Sequence, residues 1–292
     1  MSQGYVKRLL SADDTLNVLR ELPIRAGAHL GARLAGKTRN TPAGVQNYEH
    51  VPAADRVSYF DLRVELQPSR QLMLHIETVQ TSTRYKSGLV FKTWKSLYPC
   101  YYLPWRRNGT TRMKLSPPEG YSGDAIKFFA TAAIDGCSVY VEGPAATPKV
   151  SHLNASNIAP APAMGVAETD LAKQARIDLK IANMDARMAL IRKGETRVVE
   201  RQHYIEDFQP GRVAAVRTIA RLMNIPSAQV RDYQPFGTVV GVVKAGTWVF
   251  YLQKCAAFEY RLTSTSPWRA GVRVLSAAEF WPTNTGGGFR VF

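Results

Sequence analysis

The apolar residues of this chain change period twice, and that change constrains the fold more than any other property of the sequence. Between Val57 and Leu103 the period is two: Phe60, Leu62, Val64 and Leu66 alternate with charged residues, and after Pro68 the set Leu72, Leu74 and Ile76 repeats the pattern. Leu89 to Trp94 and Leu97 to Leu103 read as two further strands. Period two returns over Thr238 to Val243, turns at Lys244-Ala245-Gly246 and comes back through Trp248, Phe250 and Leu252. Phe258, Tyr260 and Leu262, then Val272 and Val274, continue it. Between these blocks Ile177, Ile181, Met184, Met188 and Ile191 step by four, three, four and three, the spacing of one apolar stripe on a long helix. Gly194 is expected to end that helix, with Arg192 and Lys193 in its last turn, and another helix is expected from Val213 to Met223. Strands on both sides of a helical insertion predict an α+β fold, two mixed β-sheets packed as a sandwich with surrounding helices.

The front of the chain reads differently. Ser11 with Asp14 three residues on resembles a capping box, and Leu16, Leu19 and Leu22 continue at near-helical spacing to Pro23. Leu30 and Leu34 suggest a second short helix among glycines, and the Thr, Asn, Pro and Gly of Lys37 to Asp55 read as loop. The expected division is an N-terminal helical and loop extension over 1–55 and one larger domain over 56–292. Its helical insertion covers about 159–231 and follows the stiff Ala159-Pro160-Ala161-Pro162 spacer.

Composition narrows the function classes. The chain has 292 residues, 45% of them hydrophobic, enough for a real core. Three cysteines without a CxxC spacing point to neither a disulfide framework nor a zinc site. The start reaches acidic residues before any apolar run of signal-peptide length, and no stretch is long and apolar enough to insert in a membrane. The net charge of +15 is spread along the chain rather than gathered in a tail, which favours encounter with acidic partners without choosing among them.

One stretch concentrates chemistry. From Phe128 to Ser156 the expected order is helix, glycine, cysteine, strand, turn, histidine. Ile126, Phe129 and Ala133 fall at helical spacing after Ser122, and Gly136 ends the helix. Cys137 opens a strand through Val139 and Val141, Gly143-Pro144 breaks it, and Val150 to Leu153 resumes an extended run that carries His152. Neighbouring strands can bring thiol and imidazole side by side, and a thiol that passes its proton to imidazole attacks carbonyl carbon as thiolate. The plainer reading makes Cys137 a small buried hydrophobe and His152 a structural residue.

The run Phe128-Phe129, then Thr131, Gly136-Cys137 and Ser151-His152-Leu153-Asn154-Ala155 resembles the active-site segment of the glutamine-deamidating toxins, Burkholderia lethal factor and the catalytic domain of cytotoxic necrotizing factor. Leu103-Pro104-Trp105 upstream and the hairpin Gly241 to Gln253 downstream are similar too. The resemblance implies Cys137 as nucleophile, His152 as general base and Thr131 as the group that orients the histidine, with backbone N–H groups near the cysteine holding the oxyanion and no metal or organic cofactor. It further implies a monomeric toxin or effector, secreted or injected by a specialised route into the host cytoplasm. Its target would be a host protein such as a translation-initiation RNA helicase or a Rho-type GTPase, and nucleic acid would not be required. The chain has Ile134-Asp135 where the family has Leu-Ser before Gly-Cys, and a carboxylate facing the thiol would raise its pKa. A transglutaminase, a cysteine protease and a non-enzymatic basic binding module are the alternatives.

Overall fold

Strands carry most of the structure, as the period-two stretches require. A computed structural model describes residues 2–11, 14–26, 35–41, 44–50, 57–66, 72–79, 97–116, 126–155, 158, 162–163, 165–206, 208–282 and 289–291. Helices α1 (Ser2–Leu9) and α2 (Thr15–Glu21) lead into β1 (Ile24–Ala26), β2 (Ala35–Thr41) and β3 (Gly44–His50). Then come β4 (Val57–Leu66), β5 (Leu72–Val79), β6 (Leu97–Leu103), β7 (Thr110–Lys114), β8 (Phe128–Thr131), β9 (Ser138–Glu142) and β10 (Lys149–Leu153). Helix α3 (Asp170–Ala189), β11 (Thr196–Val199) and α4 (Gln209–Met223) precede β12 (Val230–Lys244), β13 (Thr247–Tyr260), β14 (Arg269–Trp281) and β15 (Arg290–Val291).

These strands form two mixed sheets in an α+β, sandwich-like arrangement. The first runs β1-β5-β4-β6-β8-β12-β13-β14 and the second β15-β11-β9-β10-β7-β3-β2. Pairs β1/β5 and β6/β8 in the first sheet, and β3/β7 in the second, are parallel. One buried cluster takes Tyr101, Leu103, Phe129 and Val239 from the first sheet and Met113, Val139, Val141 and Val150 from the second, so the two inner faces share one core. On the outer face of the second sheet, Met184 and Met188 of α3 pack on Tyr140, Leu153 and Val198. On the outer face of the first, Val18 and Leu19 of α2 pack on Tyr102, Val240 and Tyr251, whereas Ile219 and Ala220 of α4 pack on Val230 and Phe258, the latter on the same face as Phe250 and Leu252.

Three sequence expectations need correction, and one helix was not expected. Residues 128–131 form a fully buried strand, not the end of a helix; a strand covered on both faces is an unbroken apolar run, and its spacing fits either period. The expected loop over Lys37 to Asp55 contains most of a hairpin, Ala35 opposite His50 through Thr41 opposite Gly44, whose polar residues carry no apolar alternation to read. Residues 2–9 are helical although no apolar stripe announced them. Helix α3 stops at Ala189 with Arg187 in its last turn, before Arg192, Lys193 and Gly194. There a buried Arg112–Glu142 ion pair takes over: Arg112 donates to the Ile191 carbonyl at 2.6 Å, and Glu142 accepts the Lys193 N–H at 3.1 Å. The strand expected over Leu89 to Trp94 and the helix expected around Leu30 and Leu34 lie outside the described residues.

The residues expected as a separate extension supply β1 to the first sheet and β2 and β3 to the second. Gln253 of β13, fully buried, ties them in. Its amide donates to the carbonyls of Leu19 at 2.6 Å and Leu22 at 2.7 Å, and its oxygen accepts the Ile24 N–H at 2.7 Å.

Candidate active site around Cys137

Strands β9 and β10 are antiparallel, with Val139 opposite His152 and Ser138 opposite Leu153. Cys137, one residue before β9, therefore faces Asn154, one residue after β10. Cys137, Val139, Val141 and Val150 all point into the core between the sheets, so alternation puts His152 and Asn154 on that same face. His152 is the diagonal neighbour of Cys137, a separation of about 7–8 Å between backbone positions that an imidazole can span. Sequence reading expected thiol and imidazole side by side on neighbouring strands; the strands are neighbours and the two residues share a face, without a hydrogen bond between them.

The contacts at the sulfur come from elsewhere. Asn154 Nδ2 donates to Cys137 Sγ at 3.2 Å. The amide is oriented from its other end, where Oδ1 accepts the Asn108 N–H at 2.9 Å and leaves Nδ2 directed at the sulfur. Asn108 sits in the left-handed region at φ 51°, and Arg187 of α3 donates to its side-chain oxygen at 3.2 Å and its carbonyl at 3.3 Å. The helical insertion thus fixes the turn that fixes the amide beside the thiol. Among the described residues neither nitrogen of His152 has a hydrogen-bond partner, so neither the thiol nor Thr131 holds the ring.

The cysteine loop is pinned by Tyr204, also fully buried. Its hydroxyl accepts the Gly136 N–H at 3.0 Å and donates to the Cys137 carbonyl at 2.6 Å. Gly136 has φ 83°, a backbone conformation that calls for glycine, and a Cβ there would meet only the tip of Arg201, Nη1, at 2.8 Å. Thr131 belongs to β8, with its side chain on the inter-sheet face next to Phe129. Its hydroxyl accepts the Val239 N–H at 3.2 Å. The Gly136 N–H, a backbone donor beside the cysteine, is thereby occupied by Tyr204 rather than open to an oxyanion.

Burial sets the protonation states. Cys137 is 4% exposed, and burial first pushes its thiol up to about 11, against smaller opposing effects from the Asn154 amide, the Asp135 backbone and Arg201. The Asp135 carboxylate, on an exposed residue, also works upward, but less than burial does. Burial pushes His152 down to about 3. Burial thus disfavours the charged form of both groups, and the resting site holds thiol and neutral imidazole.

Beside the loop lies a cavity of about 90 Å³ whose wall includes Asp135, Gly136, Asn154, Arg176, Lys180 and Arg201. It adjoins Cys137 through the flanking Gly136 and through Asn154, and α3 contributes two of its three cations. Among the described residues no group of three or more His, Cys, Asp or Glu could hold a metal ion, and no helix is long and apolar enough to cross a membrane.

Asn154, Asn108, Arg187 and Tyr204 were not singled out by sequence reasoning. Asn154 stood in the quoted motif, and its separation of two from His152 was the available signal; the others carry none. No protein-family model matches the chain, and no curated protein matches it.

Proposed function

We propose that the chain is a cysteine-dependent amidohydrolase that deamidates a glutamine side chain of a host protein, as in the toxin family its active-site segment resembles. The deamidase-toxin variety of the sandwich, delivery into the host cytoplasm, and a translation-initiation helicase or Rho-type GTPase as target belong to the same proposal. The observation that carries it is the shared face of Cys137, His152 and Asn154, with an amide N–H already directed at the sulfur.

The residues divide the reaction as follows. With a carboxamide seated at the loop, His152 turns one unpartnered nitrogen toward the thiol and takes its proton. The sulfur attacks the carboxamide carbon, and negative charge gathers on the oxygen. Asn154 Nδ2, one hydrogen bond from sulfur at rest, transfers its donation to that oxygen and takes the place expected of backbone N–H groups. Protonated His152 gives its proton to the departing nitrogen, the C–N bond breaks and ammonia leaves. Water then adds to the thioester with His152 again as base, which returns the thiol and a glutamate side chain. An amine in place of water would transamidate.

The test is ammonia release together with intact-mass comparison of host-extract proteins before and after treatment. Cys137→Ser should remove both signals while the fold is retained, since a hydroxyl beside imidazole is a far weaker nucleophile than a thiolate. Cys100→Ser and Cys255→Ser, both at buried packing positions, should keep them. Full activity in Cys137→Ser would end the proposal.

A further inference from the structure

The cavity beside Cys137 is electrostatically one-sided. Arg176, Lys180 and Arg201 face it against one lining carboxylate, Asp135. Arg176 is already engaged, with Nε and Nη2 each 2.8 Å from the carboxylate oxygens of Glu168. Lys180 differs: it is half-buried, and its ammonium makes no hydrogen bond or ion pair among the described residues. The two guanidinium groups repel this ammonium more than Glu168 attracts it, and an incoming anion offsets that repulsion. Burial first, then the charges of Arg176 and Arg201, hold the Lys180 pKa below its ordinary value.

The placement matters as much as the sign. The same wall contains Gly136, which precedes Cys137, and Asn154, which donates to its sulfur, so the cavity borders the cysteine loop. The cavity, about 90 Å³, is small, and α3 walls it along Arg176, Ile177 and Lys180. A carboxylate of Glu or Asp on a polypeptide segment fits such a space, whereas a continuous basic track of the kind that follows a nucleic-acid backbone is not formed by a single enclosed cluster.

We propose that Lys180, with Arg201 beside it, forms an acidic-residue subsite that selects glutamines having a carboxylate side chain next to them in the substrate chain. The subsite rests on the deamidase reading for its biological meaning, but its binding can be measured without turnover. The cation-lined cavity supplies the affinity, and its adjacency to Cys137 and Asn154 supplies the register between anion and carboxamide. Substrates without the carboxylate lose the anchor and are held less long over the thiol.

The experiment uses the full chain carrying Cys137→Ser and fluorescein-labelled peptides with one glutamine flanked by Glu, by Ser or by Lys, read by fluorescence anisotropy at low and physiological salt. The Glu-flanked peptide should bind about tenfold more tightly than the Ser-flanked one, and Lys180→Ala should remove that difference. Lys180→Arg should retain it, and Lys127→Ala, outside the cavity, should leave it unchanged. Equal affinity for the three peptides, or preference that survives Lys180→Ala in a folded protein, would overturn the subsite. So would a single-stranded polyuridine that binds more tightly than the Glu-flanked peptide with the same Lys180 dependence, since the cavity would then serve nucleic acid. Ammonia release by the unmodified protein is scored separately. Lys180-dependent binding without ammonia leaves the subsite standing and removes the deamidase reading. Ammonia release without Lys180 dependence does the reverse.

Discussion

The side-chain amide of Asn154 donates to the sulfur of Cys137 over 3.2 Å, although the residue expected to serve that sulfur, His152, lies two positions earlier on the same strand. The amide cannot take a proton, so its part in chemistry is to stabilise negative charge, first on sulfur and then on the oxygen that sulfur attack creates. Asn154→Ala should therefore lower kcat by about 10²–10³ with a smaller change in KM, the pattern of a donor lost mainly in the transition state. Asn108→Gly keeps the backbone N–H that orients the amide but removes the side chain held by Arg187, and should cost less. Steady-state ammonia release from a glutamine peptide checks both; an unchanged kcat in folded Asn154→Ala removes the amide from the mechanism.

A second expectation follows from His152. Its imidazole is held neutral in the fold, with a pKa lowered by burial from 6.5 to about 3, whereas in the unfolded chain it titrates normally. Between these values the unfolded state binds the proton and the folded state does not. This contribution to stability is therefore complete above about pH 6.5 and is lost as pH falls toward 3. At pH 4.5 the loss should be roughly 2–3 kcal/mol relative to pH 7. His152→Leu should lack that component, so urea unfolding at the two pH values should show a smaller drop for the variant than for the parent. The same drop in both would mean that the ring is solvated or charged in the fold.

The sequence made some of this arrangement legible and hid the rest for identifiable reasons. Strand β4 was visible because one residue in two is apolar, β9, β10 and β13 because turn residues bound short extended runs, and α3 because its stripe steps by the helical period. Strand β8 was not, because a strand buried on both faces carries no period, and the hairpin of β2 and β3 was not, because backbone pairing asks nothing of its polar side chains. Cys137 and His152 were singled out from the strand pattern and the resemblance. Tyr204 could not be found, since it reaches the Cys137 carbonyl from 67 residues away with no flanking motif. Asn154 was quoted in the motif, but its role depends on a turn around Asn108 that only the folded chain brings opposite it.

Gln253 offers a test of how firmly the N-terminal segment is attached. Its one side chain satisfies three backbone groups at the end of α2 and the start of β1, all buried beneath the first sheet. Gln253→Leu keeps comparable volume but orphans two carbonyls and one N–H, each loss being worth about 1–3 kcal/mol, though water admitted by local opening would recover part. Limited proteolysis should cut the variant within its first 30 residues under conditions that leave the parent intact, while the remainder resists. Equal resistance would show that packing of Val18 and Leu19 holds the segment without the amide.

Thr131 separates two roles that one side chain could serve. Its hydroxyl accepts the Val239 N–H at 3.2 Å, at a position where both residues are fully buried, and the nitrogens of His152 bond to neither of its oxygens. A hydroxyl committed to a backbone N–H is a structural acceptor, and removing it leaves that N–H without a partner. Thr131→Val should thus lower stability by about 1–3 kcal/mol in denaturant unfolding, and Thr131→Ser should recover most of it. Below the unfolding temperature kcat for ammonia release should stay within about twofold of the parent, well short of the tenfold to hundredfold loss that an orienting hydroxyl would cause. The opposite pattern, unchanged stability with a kcat lowered that far, would return Thr131 to the imidazole. It would mean that the ring and the hydroxyl meet once substrate has entered, as the resemblance implies.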